Sequence, residues 1–359
     1  MEPVTHFLTG ACLGRSGFNR TTAYATLAMT LAAEAPDLDV LWGVRGPVAA
    51  LQHHRGITHT FLGAPFMALL VTAAVWVWHR WRTRQGTEPA QRNTGKSKVP
   101  PARWGAIWAL ALVADLSHIL LDWTNNYGVR PFFPFNAHWY AGSILFIFEP
   151  LLFAALLAAL VVPAILGLAD REIGVRRKPF RGRGWAIFAL CFAVVLGCWR
   201  WAEHDRALQL LAQQSYRNAR IVKMTVNPYP VDVFRWYGVV ETKDFYQTAV
   251  VNTRTDDFSS RVPEHRYFKQ PQTPAVRTAE GSYLGRVFLD WSQFPLVTET
   301  HAFGVSKGAR YTVVEFQDLR FAYNVLFMRG RTDNPLSGTV VIAPDGRVDE
   351  MRMGDRVQK

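Results

Sequence analysis

Residues 104–123 read WGAIWALALVADLSHILLDW. Twenty residues of helix rise about 30 Å, the thickness of a bilayer's hydrocarbon core. Within this stretch Asp115, His118 and Asp122 stand at i, i+3 and i+7, along one helix face. Ionisable groups are costly inside a membrane and mark functional sites there. The segment therefore predicts a membrane crossing and polar chemistry within it.

Working outward, three more segments have the same character, running roughly 60–80 (FLGAPFMALLVTAAVWVWHRW, Phe61 to Trp81), 143–168 (SILFIFEPLLFAALLAALVVPAILGL) and 185–201 (WAIFALCFAVVLGCWRW). Trp76, Trp78, Trp104, Trp185 and Trp199 fall at segment ends, as interfacial aromatics do. Shorter apolar stretches near 4–14 and 22–35 predict short, tilted or re-entrant helices inside the bundle. The expected fold is an α-helical membrane bundle, with four clear spans and two short N-terminal helices, followed by a mostly-β domain.

The chain has 359 residues, 49% hydrophobic, and carries a net charge of +12. Its two halves differ. Eleven of the thirteen Trp and all three Cys (Cys12, Cys191, Cys198) lie before residue 203. This excludes a simple cytosolic enzyme, a disordered chain and a disulfide scaffold. The excess charge sits in short loops. Loop 80–103 holds Arg80, Arg82, Arg84, Arg92, Lys96, Lys98 and Arg103 against Glu88, and loop 169–184 holds Arg171, Arg176, Arg177, Lys178, Arg181 and Arg183 against two acids. With Arg15 and Arg20, every basic loop falls on one side of six alternating segments. The positive-inside rule makes that side cytoplasmic, so the N-terminus and the C-terminal half are expected outside. No basic leader or small-residue cleavage site precedes the first segment, so no removable signal peptide is expected.

From 217 onward, apolar–polar alternations recur: RIVKMTV, FRWYGVVET, FYQTAVVNT, RVFLDW, YTVVEFQDL, NVLFMRG and GTVVIA, with a Pro-Asp-Gly turn at 344–346. The expected division is 1–202 membrane-embedded, 203–216 a connecting helix, and 217–359 a β-rich extracytoplasmic domain. That domain is expected to rest over loops 42–56 and 124–142. His204, His265 and His301 are too far apart in sequence to predict a site within it.

Three clusters carry the candidate chemistry. Gln52-His53-His54-Arg55-Gly56-Ile57-Thr58-His59 offers three imidazoles in seven residues, at the outer start of a span. Asp115, His118 and Asp122 offer a helical face. Glu34-Ala-Pro-Asp37-Leu-Asp39 offers three acids in six residues. His6 and the isolated Glu149 join them. Each also has a plainer reading, as interfacial polar caps, helix caps or hydrogen-bonding groups. Yet with the orientation set by the basic loops, His6, Asp37, Asp39, His54, His59, His118 and Asp122 all fall toward the outer leaflet. More donors than one tetrahedral ion needs suggest one to three divalent ions, zinc foremost. A site of that kind suits hydrolysis of phosphate esters. Arg55 is a candidate for holding an anionic substrate group, and Asp39 and Glu149 are candidates for catalytic carboxylates.

THFLTG with His6, APDLD, HHRGITHT and LSHILLD together resemble the YdjM-like family of inner-membrane metal-dependent hydrolases, of the LexA-regulated type. The resemblance covers roughly residues 1–200, and its most specific element is the H-R-G-x-T-H core. It implies a membrane-embedded hydrolase with ligands at His6, Asp39, His54, His59, His118 and Asp122. The family is in turn similar to zinc-dependent phospholipase C and related single-strand nucleases, whose sites hold three zinc ions. His118-x-x-x-Asp122 fits their helical ligand pair, whereas Glu149 has no His four residues before it to complete a second pair.

Two functions of different class follow. One is a membrane-bound hydrolase acting on a phosphoester of a membrane lipid or lipid-linked molecule. The other is a non-enzymatic, metal-stabilised membrane scaffold or sensor whose β domain binds a partner. Nucleic acid is not expected as a partner, because the basic loops are short and lack interleaved aromatics.

Overall fold

The computed structural model describes residues 1–85, 100–172, 182–259, 266–303, 310–322 and 336–358. The expected strand at 324–330, His265, and the loop residues Arg92, Lys96, Lys98, Arg176, Arg177, Lys178 and Arg181 lie outside them.

Helix α1 (Pro3–Arg15) begins at Glu2, whose carboxylate accepts hydrogen bonds from the amides of Val4 and Thr5. One turn apart on α1, Gly10 and Gly14 present bare backbone to α2 (Ala25–Ala32). A Cβ on Gly10 would sit 2.5 Å from the Met29 carbonyl oxygen, and one on Gly14 2.5 Å from Thr26 Cα. Small residues allow this approach, which packs helices where no hydrophobic effect drives them together. Ala25, Ala28, Met29 and Ala32 of α2 are buried against Val71 and Val75 of α4 (Ala64–Arg84) and Ile107 and Ala111 of α5 (Trp104–Trp123).

Helices α5, α6 (Pro150–Glu172) and α7 (Arg183–Ala212) are long and apolar enough to cross a membrane. A fourth span counts only if Pro47–His59 and Ala64–Arg84 are taken together as one broken crossing. Four clear spans are thus corrected to three, with the fourth interrupted. The cause is local: α4 starts late, at Ala64, and its last turns carry Arg80, Arg82 and Arg84.

The chain forms two compact units. One comprises Met1–Leu38 and Arg55–Arg200, the other Asp39–His54 and Trp201–Lys359. The boundary near 200 falls inside α7, which runs to Ala212 and so covers 203–212 of the stretch 203–216 expected as a connecting helix. Its Ala207 and Leu211 lie in the core of the second unit with Trp236, Val240, Phe245 and Val251.

The second unit is mostly β. Strands β1 (Ile221–Pro228), β2 (Arg235–Thr242), β3 (Phe245–Asn252) and β4 (Asp257–Ser259) form one antiparallel sheet in that order, with β5 (Arg266–Phe268) also pairing β3. The second sheet runs β10-β9-β8-β7-β6, from β10 (Arg356–Val357) and β9 (Val348–Met353) through β8 (Gly338–Ile342) and β7 (Arg310–Asp318) to β6 (Pro295–Phe303). One expected strand is corrected: RVFLDW lies in helix α9 (Tyr283–Trp291), which follows α8 (Pro274–Gly281). Ser282 caps α9 by accepting from the Gly285 amide (3.0 Å), and Leu284, Val287, Phe288 and Trp291 fall at helical spacing on the buried face.

The segment Asp39–His54 belongs to this unit through specific bonds. Its helix α3 (Pro47–His53) offers the Val48 amide to Gln358 Oε1 (2.9 Å), and Gln358 Nε2 donates to the Arg45 carbonyl (3.0 Å). The Tyr283 hydroxyl donates to Gln52 Oε1 (2.7 Å).

Candidate metal centre

Four side chains of the helical unit converge. Asp122 and His118 stand one turn apart at the end of α5. Asp37 comes from the 3-10 stretch Ala35–Arg45 and His59 from the 3-10 turn Ile57–His59. One ligand atom from each lies within 4.8 Å of the other three. The separations are more telling: His59 Nε2 to His118 Nε2 is 3.1 Å, each of these nitrogens is 3.4 Å from Asp122 Oδ2, and they lie 3.4 and 3.6 Å from Asp37 Oδ1. Ligand atoms placed about 2.0–2.2 Å from a tetrahedral zinc stand roughly 3.3–3.6 Å from one another. The donor set fits such an ion.

The surrounding bonds support the fit. His118 Nδ1 faces the Ala33 carbonyl at 2.7 Å, and a carbonyl only accepts, so the proton is on Nδ1 and the Nε2 lone pair is turned into the cluster. Asp122 Oδ1 accepts from Arg55 Nη2 (2.8 Å), while Asp122 Oδ2 and Asp37 Oδ2 are buried without a hydrogen-bond partner. The Met1 amine also lies against Asp122 Oδ1, and 3.0 Å from His6 Nε2. The Arg55 guanidinium thus already occupies one oxygen of Asp122, and the other oxygen faces the two imidazoles. His59, His118 and Asp122 have side chains 0%, 0% and 1% exposed, and Asp37 20%.

Arg55 is where the chain turns, with a left-handed φ of 52°. Its guanidinium donates to the carbonyls of Asp122 (3.3 Å) and Gly128 (2.8 Å), to Asn125 Oδ1 (3.2 Å) and to Asp122 Oδ1, and it lies over the Tyr127 ring. These bonds clamp the end of α5 to the loop that follows it.

The other sequence candidates are placed as follows. His6 stacks on His118, centroid to centroid 3.7 Å, with Nε2 3.3 Å from Asp122 Oδ1. It adjoins the four-residue set as a neighbour. Asp39 and His54 belong to the second unit and pair with each other, Oδ1 to Nδ1 3.2 Å. Glu149, the residue ahead of α6, is bonded to Arg200 Nη2 at 2.8 Å, and both are fully buried. The partner that an isolated intramembrane carboxylate requires is therefore an arginine of α7. Arg200 sits in the apolar run GCWRW, and a charge there is the signal that could have found it. Asp115 is buried with neither carboxylate oxygen hydrogen-bonded. Among the described residues no comparable metal-ligand group occurs in the β-rich unit.

A membrane-type helical domain with a buried His/Asp ligand set, continued by a β-rich unit, defines the class of protein. Within it, the chain belongs to the YdjM inner membrane protein family, whose model matches residues 1–207. All the residues of the centre, and Arg55, Glu149 and Arg200, lie inside that match. A Bacillus subtilis (strain 168) protein described as "Uncharacterized protein YfhP" is 25% identical over 170 residues, 45% of this chain and 46% of that protein. The chain thus spans about half the length of that relative. No solved structure matches it.

Proposed function

We propose that the chain is a membrane-bound metal-dependent hydrolase, with its site toward the outer face of the inner membrane, acting on a phosphoester of a lipid or lipid-linked substrate. The observation that carries this reading is the tetrahedral spacing of His59 Nε2, His118 Nε2, Asp122 Oδ2 and Asp37 Oδ1, five separations of 3.1–3.6 Å. A bound divalent ion, zinc foremost, supplies a Lewis acid and water of lowered pKa.

The residues divide the remaining work. His59, His118 and Asp122 are the closed side of the site. Asp37, the most exposed of the four ligands, is the one whose carboxylate would yield its position to water and substrate oxygen, since a catalytic site must offer the substrate one. Arg55 holds Asp122 so that one carboxylate oxygen is spent on the guanidinium and the other is aimed at the ion. His6 supports the ring plane of His118. Asp39 pairs with His54 inside the second unit and orients its part-exposed ring. Glu149 positions the start of α6 through Arg200.

One observation favours a second reading, a structural ion in a scaffold or sensor: three of the four ligands are completely enclosed, as in closed structural zinc sites. Asp37→Ala separates the two. Protein in nanodiscs of mixed phospholipids is assayed for metal content and for release of a phosphorylated headgroup. The hydrolase reading expects wild type to release product, Asp37→Ala to keep most of its metal and lose turnover, and His118→Ala to lose both. Metal-loaded wild type that releases nothing from any phospholipid or lipid-linked phosphate supports the structural reading.

A further inference from the structure

Five consecutive residues of the second unit, VLWGV at 40–44, have no place in a water-soluble surface. Val40 is 71% exposed, Leu41 67% and Val44 89%. Single exposed apolar residues are ordinary, but a contiguous exposed apolar run marks a contact surface. No charge interrupts the run between Asp39 and Arg45.

We propose that residues 40–44 are a membrane hook, inserted at the level of the lipid headgroups and upper acyl chains, which holds the C-terminal unit on the bilayer surface. The occupant of this apolar face is lipid, and three features say so. The first is the composition of its rim. Trp42 is stacked on His53 (centroids 3.9 Å apart, planes 18° apart) and is covered by the Arg45 guanidinium at 4.8 Å. A tryptophan with its polar neighbours fixed on one side, beside an arginine able to snorkel, is the signature of the bilayer interface. The second is backbone satisfaction. The run lies in the 3-10 stretch Ala35–Arg45 and closes with the Gly46 amide bonded to the Gly43 carbonyl at 3.1 Å, as a segment entering a low-dielectric zone requires. The third is continuity. The run is flanked in the chain by exposed apolar residues of the membrane-type unit, Leu31 and Leu38 before it and Ile57, Phe61, Leu62 and Phe66 after it. Five residues suit shallow insertion of about 5–10 Å rather than a crossing.

The hook is tied to its own unit from behind. Gln358 bonds both the Val48 amide and the Arg45 carbonyl, and Tyr283 bonds Gln52. The β-rich unit thus uses a segment from the N-terminal sequence as its attachment to lipid. This inference does not depend on hydrolysis.

The test uses the full chain in liposomes of phosphatidylethanolamine and phosphatidylglycerol, with Cys191 and Cys198, the exposed cysteines, replaced by Ala. Val44→Cys carries an environment-sensitive fluorophore, and Arg347→Cys, in an exposed turn of the same unit, is the reference. The hook expects blue-shifted emission at 44, quenching by shallow nitroxide lipids at least threefold stronger than at 347, and protection from aqueous iodide. Iodide quenching without lipid quenching at 44 would show a water-facing surface and overturn the proposal. Protection from both quenchers would overturn it too, pointing to cover by protein such as a second copy.

Discussion

His59 Nε2 and His118 Nε2 lie 3.1 Å apart, and each is 3.4 Å from Asp122 Oδ2. With the His118 proton held on Nδ1 by Ala33, its Nε2 lone pair, His59 Nε2 and a carboxylate oxygen converge among buried side chains, an arrangement that a cation stabilises. Replacing either imidazole, as in His59→Ala or His118→Ala, is expected to weaken divalent-ion affinity at least about 100-fold, more than the loss of a mere supporting group. Competition against a chromophoric chelator measures this. Unchanged affinity in both variants would remove these residues from the ligand set.

Arg55 acts on the ion through Asp122, so its geometry matters as well as its charge. Arg55→Lys keeps the positive charge but loses the fork that bonds Asp122, Asn125 and Gly128 together. The expected cost is about 10–100-fold in metal affinity. Asn125→Ala is expected to shift affinity in the same direction by less. If Arg55→Lys binds metal like wild type, the clamp is not what orients Asp122.

Glu149 and Arg200 are a buried pair inside the helical unit. Breaking such a pair leaves an unpaired charge, whereas replacing both partners by apolar residues is often close to neutral. Arg200→Met alone is therefore expected to cost about 3–5 kcal/mol, and Glu149→Leu with Arg200→Met much less. Thermal unfolding in detergent reads the difference. Metal affinity is expected to stay near wild type in the double variant. A large loss of affinity there would return Glu149 to the centre itself.

In the second unit, Asp318 accepts from Arg320 Nη2 (2.7 Å), Ser292 Oγ (2.8 Å) and the Gln293 amide (2.9 Å). Burial by itself raises its carboxyl, but the Arg320 charge and these bonds outweigh burial and hold it below the usual 3.8. A carboxyl depressed in the folded state stabilises the fold above its unfolded value and loses that contribution as pH falls through the folded one. This group therefore contributes a flat stability from neutral pH down to about 4 and an acid limb only below the usual 3.8. The midpoint of the β-sheet circular dichroism signal, followed with pH, measures the limb. Asp318→Asn is expected to lower the midpoint at neutral pH and to flatten the limb. A wild-type loss beginning near pH 6 would have another origin.

Much of this architecture is legible in the sequence because a membrane penalises polar residues. Asp37, His59, His118 and Asp122 stand out against apolar surroundings for that reason, and three of the four clear spans hold. The same reading treats Arg200 as the end of a span, and so leaves Glu149 without its partner. RVFLDW alternates like a strand, and only the Ser282 cap and the wider spacing from Leu284 to Trp291 reveal a helix. The association of Asp39–His54 with the C-terminal unit rests on Gln358, 310 residues from Val48, and no local pattern encodes a contact at that separation.

The central claim is one ion held by two imidazoles and two carboxylates. X-ray absorption on detergent-purified, zinc-loaded wild type, with metal per chain determined on the same sample, tests it most directly. At least one tightly bound ion per chain is expected, with two nitrogen and two oxygen neighbours at about 2.0–2.2 Å, and loss of the imidazole scattering in His59→Ala with His118→Ala. A chain that binds no ion, or one whose ion keeps the same coordination in that double variant, would contradict it.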